Sequence, residues 1–167
     1  EQGIRRLMSI NLLKRLESSV YAFGLTLSRI KQLMESTIQN IDSYHGGSQP
    51  LDVLSVEDTA DLDEDDQNAE LFTTGKKDHI DLADMDYQGW RNDIAADLDT
   101  LDALSRMIRC ITPQHDEKLQ RLLALINEKM TRPINEGNQK ILIFSAFSDT
   151  TEYLYDHVSV FVKQNFG

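Results

Sequence analysis

The chain is short of the residues that staple or punctuate a fold. It has one cysteine, Cys110, so no internal disulfide is available. A lone thiol argues for a reducing compartment, and its plainest reading is a small apolar residue on a helix. Only three prolines, Pro50, Pro113 and Pro133, interrupt 167 residues, which leaves room for long helices. No apolar run is long enough to cross a membrane, and the N-terminus EQGIRRLMSI has neither an initiator Met nor a cleavable apolar core. The expectation is a cytoplasmic chain, not a membrane protein, whose first residue is a boundary within something longer. Basic charge is missing from one place in particular: Leu51–Glu70 holds nine acids and no Lys or Arg. Most of the net charge of −11 arises there, and both ends of the chain are mildly basic. Since binding depends on the local field, the low overall pI does not exclude a polyanion partner.

What is present is periodic. Leu13, Leu16, Val20, Phe23, Leu27, Ile30 and Met34 recur at spacings of three and four, with Ile41 one heptad on. This predicts one long helix over 4–43, whose seam fits a coiled coil or an antiparallel hairpin. Gly24 inside it costs about 1 kcal/mol relative to Ala, which points to close packing or a slight bend there. Residues 1–44 are thus read as the first unit. Residues 45–86 form an acidic, largely flexible linker, opened by turn residues and too poor in apolar side chains to offset the entropy of ordering. Short turns are expected near 53–56 and 80–85. Residues 87–132 form a helical hairpin: Ile94, Leu98, Leu101, Leu104, Ile108 and Ile111 make one stripe, Thr112-Pro113 stops it, and a second helix carries Leu119, Leu122, Leu123 and Ile126 inward up to Arg132-Pro133. The stripes of the first two helices match in length, which predicts antiparallel packing.

Several chemical spellings fail on context. Asp63-Glu64-Asp65-Asp66 has the letters of a Mg²⁺-holding acidic box but follows no buried strand. Asp61, Asp63 and Asp65 have calcium-loop spacing, but Asp66 replaces the turn glycine and Phe72 the closing glutamate. Gly75-Lys76-Lys77 lacks both the earlier glycine and the following Ser or Thr of a phosphate loop. The four histidines make no metal spacing. No catalytic residue, metal site or cofactor is therefore assigned to this chain.

Residues 133–167 read differently. Ile141-Leu142-Ile143-Phe144, apolar on both faces, predicts a strand of a buried parallel sheet, and a helix follows, capped by Ser148 or Asp149. The strand's C-terminal end and the helix N-terminus are where open α/β folds bind anions, a phosphodiester among them. One strand cannot complete a sheet. The fold class expected is mainly α, with long antiparallel helices in a hairpin or bundle, plus a single β-strand and helix from a truncated α/β lobe.

The string KILIFSAFSDTTEYLYDHV resembles motif IV, the first strand and helix of the second RecA-like lobe in superfamily 2 helicases, above all the Swi/Snf-like DNA translocases. Asp116-Glu117-Lys118-Leu119-Gln120-Arg121-Leu122 resembles the D-x-K-L-x-x-L helix before that strand. Leu12 to Phe23, LLKRLESSVYAF, resembles the L-x-K-R-x-x-S-S-x-x-A signature at the end of the first lobe. The three occur in the family's order and cover about half of the chain. The resemblance implies a parent that is an ATP-dependent, DNA-directed helicase or translocase, an ATP hydrolase using ATP and Mg²⁺ bound outside residues 1–167. This chain would be a non-catalytic part that connects the two motor lobes. It places Ser145, Phe147, Asp149 and Thr150 near the nucleic-acid backbone, and Lys14, Arg15, Ser18 and Ser19 at the lobe junction. Gly24 departs from the longer residue that family members carry after Phe23.

The rival reading is a helical or coiled-coil protein-interaction module with an acidic tether. It accounts for the heptads but not for a buried-type strand followed by a capped helix. The partners expected are DNA through the parent enzyme and, because a strand without neighbours leaves two bare edges, a second copy of the chain.

Overall fold

A computed structural model describes residues 2–44 and 82–167. Five α-helices and one 3₁₀ turn account for the regular structure: α1 (Gln2–Ser18), α2 (Val20–Asp42), the turn Leu82–Asp84, α3 (Tyr87–Arg109), α4 (Glu117–Thr131) and α5 (Ser148–Phe166). The expected acidic linker as far as residue 81, the turn near 53–56 and the spurious Mg²⁺, calcium and phosphate-loop spellings lie outside the described residues; the linker's last residues, 82–86, are ordered, with Leu82 buried. No helix among the described residues is long and apolar enough to cross a membrane.

The single helix expected over 4–43 is two. Ser19 takes an extended conformation, φ −158° and ψ 137°, and its side chain accepts the Ala22 N–H at 3.1 Å, capping α2. The Ser19 N–H still reaches the Arg15 carbonyl and the Phe23 N–H the Ser19 carbonyl, so the hydrogen-bond ladder spans the corner. That is why the three-four spacing runs through a break it does not reveal. Beyond the corner α1 seats itself by polar side chains. Asn11 and Arg15 are buried, while Leu13 and Leu16, assigned to the seam, are 64% and 39% exposed.

α2 and α3 form the antiparallel hairpin. Arg91 binds Asp42 through Nε and Nη2 at 2.5 and 2.9 Å, Lys31 meets Asp102 at 2.6 Å, and Gly24 lies against Ile108. A Cβ on Gly24 would stand 3.3 Å from Ile108 Cγ2, so the glycine marks the close approach that its position in the stripe predicts. At the far end Ile41, Leu82 and Ile94 form a buried cluster under Met34, Ile38, Met85 and Trp90. Asp86 caps α3 by accepting the Gly89 N–H at 2.9 Å. α3 packs chiefly against α2 and α4 against α5, so the hairpin expected within 87–132 is instead built from 20–42 and 87–109.

The expected β-strand is absent from the described residues. Ile141–Phe144 is irregular, with Ile141 and Ile143 about two-fifths exposed, and Leu142 and Phe144 82% and 88% exposed. A strand is defined by hydrogen bonds to a neighbour, and no other strand stands beside this segment among the described residues. The mainly helical expectation fits, and the strand does not. The turn before it is local: the Asn138 N–H reaches the Asn135 carbonyl, with Gly137 at φ +73°, which glycine adopts without strain.

Candidate functional site

The corner between α1 and α2 meets the start of α5. Arg15, in the last turn of α1, donates from Nη1 to Asp149 Oδ2 at 3.0 Å. Arg29 of α2 approaches the same carboxylate through Nη1 at 3.1 Å and Nη2 at 3.4 Å. One turn along, the hydroxyls of Ser18 and Thr150 lie 2.9 Å apart. The Arg15 guanidinium stands 4.9 Å above the centre of the Phe147 ring, a cation–π contact.

Local sequence explains why these side chains suit their places. Asp149 occupies the first turn of α5 and Arg15 the last turn of α1, so each opposes the partial charge of its own helix end before pairing with the other. Desolvating such a pair is costly, and the hydrogen bonds must offset it. Here the side chains of Arg15 and Asp149 are only 3% and 11% exposed, and Arg29 shares the carboxylate from the wetter side. Asn11, one turn before Arg15, is buried, and its Nδ2 has no partner among the described residues.

Of the residues predicted for nucleic acid, Asp149 and Thr150 are buried and paired within the chain. Phe147 lies under Arg15 and occupies the N-cap of α5, making no side-chain cap bond, so neither Ser148 nor Asp149 caps that helix as expected. Ser145 is exposed and accepts the Phe147 N–H at 3.1 Å. Of the junction residues, Arg15, Ser18 and Ser19 join the node or the corner, and Lys14 points to solvent. The two groups of residues are thus brought against each other. No family model, curated protein or solved structure matches this chain.

Two features escaped the sequence. Arg29 has no local signal, because its partner lies far along the chain. Tyr153, buried on α5, donates to Asp116 Oδ2 at 3.0 Å while Asp116 Oδ1 accepts the Leu119 N–H and caps α4. Tyr21 stacks on Tyr153 at 4.9 Å and His157 meets its edge at 4.6 Å. Burial, reinforced by the Asp116 carboxylate, raises the Tyr153 phenol well above the ordinary tyrosine range. Among the described residues no group of three or more His, Cys, Asp or Glu side chains converges as metal ligands would.

Proposed function

We propose that this chain is the connecting portion of an ATP-dependent, DNA-directed translocase, in which the α1–α2 corner belongs to the end of one motor lobe and α5 to the start of the next. One observation carries the reading: two segments that separately resemble the end of lobe one and motif IV meet through Arg15 and Asp149, 134 residues apart, with Arg29 on the same carboxylate. Its part is mechanical. A joint made of a shared carboxylate, a hydroxyl pair and a cation–π contact is directional, so it fixes the angle at which α5 leaves the corner. ATP and Mg²⁺ belong, on this reading, to the motor lobes. DNA is the partner of the whole motor.

The test is ATP hydrolysis by the complete protein that carries this chain, with and without duplex DNA. We expect hydrolysis that DNA stimulates, and an Asp149→Asn protein that still hydrolyses ATP but loses most of the stimulation. No hydrolysis by the complete protein would overturn the reading and leave the interaction module, which the exposed Leu13 and Leu16 of α1 favour.

A further inference from the structure

α2 packs against both α3 and α5, and where these flank it near the 110–116 connection a cleft of about 380 Å³ opens. That volume falls within the range of about 300–1,000 Å³ typical of small-molecule sites. Gly24, Leu25, Ile108 and Pro113 give it an apolar surface, and Tyr21 adds a ring stacked on Tyr153 but still 44% exposed.

Its polar groups divide into those already engaged and those that are not. Tyr153 and Asp116 satisfy each other. Ser105 is different: the residue as a whole is nine-tenths buried and lines the cleft, and its hydroxyl, which is not among the fully buried atoms and so reaches the cleft surface, has no partner among the described residues. Arg109, one turn further along α3, makes no ion pair or hydrogen bond with any described residue, and neither does the hydroxyl of Ser28 on α2. Two hydroxyls and a guanidinium therefore offer donors on the α2 and α3 side. Across the cleft, α5 contributes the Asp156 carboxylate, unpaired among the described residues, and the His157 ring, one nitrogen of which can accept.

A ligand that meets the whole set has a flat apolar body, an anionic end for Arg109 and the serines, and a donor at its other end for Asp156 or His157. We propose that this cleft binds a small aromatic acid carrying a hydrogen-bond donor opposite its carboxylate. The inference does not depend on the translocase reading.

The probe is 4-hydroxyphenylacetate, titrated into the 167-residue chain and followed by amide chemical shifts. For a ligand of this size binding in the millimolar range is expected. The saturating shifts should centre on Tyr21, Gly24, Ser105 and Tyr153. Arg109→Gln should weaken the acid about tenfold by removing a charge-assisted bond, while the neutral 4-hydroxyphenylacetamide binds both proteins equally. Arg109 is exposed, so the variant keeps its fold, which circular dichroism checks. Absence of saturation, shifts centred elsewhere, or an acid affinity unchanged in Arg109→Gln would each overturn the proposal.

Discussion

Asp149 takes hydrogen bonds from two arginines on two different helices, and its removal leaves two guanidinium groups in a poorly hydrated corner. Breaking one side of a buried pair typically costs about 3–5 kcal/mol, and the partial exposure of Arg29 puts Asp149→Asn near the lower end. Urea unfolding should therefore show a loss of about 3 kcal/mol, against well under 1 kcal/mol for Glu152→Gln, an exposed acid one turn on. Tyr153 supplies a pH dependence. Its phenol is held protonated in the fold above the ordinary tyrosine value of about 10. Below that pH both states are protonated and the contribution is complete. As pH rises further, only the unfolded chain releases the proton, so stability falls until the folded phenol itself ionises. Urea midpoints should be flat from pH 7 to 9 and fall above 10, and Tyr153→Phe should remove that part of the fall.

Among the elements, helices were legible and the ends that Pro113 and Pro133 mark nearly so, because proline is a local signal that acts within one turn, whereas the caps Asp86 and Asp116 went unread. The break at Ser19 was not, since the ladder through Arg15 and Phe23 keeps the apolar spacing in phase across the corner. Replacing Ser19 by Ala removes the cap of α2 and should cost about 1 kcal/mol in the same urea measurement. The strand failed for the opposite reason. Ile141 and Ile143 state that 141–144 suits an extended, packed environment, but a strand also needs a hydrogen-bonded neighbour, and none stands beside it among the described residues. Leu142 and Phe144 are left bare, and no charge interrupts 141–148 to discourage pairing. Sedimentation should accordingly show concentration-dependent self-association, abolished by Phe144→Lys with helicity unchanged. A monomer at high micromolar concentration would show that water alone satisfies this segment. At the candidate site, Arg15, Ser18, Asp149 and Thr150 were picked out by resemblance, yet their mutual contact was not legible, because spacing along a chain carries no information about a partner on a distant helix.

At the scale of the molecule, two halves are held in different ways. The far end of the α2–α3 hairpin has an apolar core, built on Ile41, Leu82 and Ile94, with the solvent-exposed Arg91–Asp42 pair at its rim. The joint between the α1–α2 corner and α5 is polar, built on Arg15, Ser18, Arg29, Asp149 and Thr150. Apolar contacts weaken on cooling because their hydration carries a large heat-capacity change, whereas charge-assisted contacts lack that dependence. Lowering the temperature from 25 °C toward freezing should therefore loosen the two ends unequally. Amide exchange around Ile94 should gain more on the amides of the first turn of α5 than their intrinsic rates allow. The geometry at the corner, and with it the direction in which α5 points, is thus insulated from temperature in a way the hairpin's far end is not.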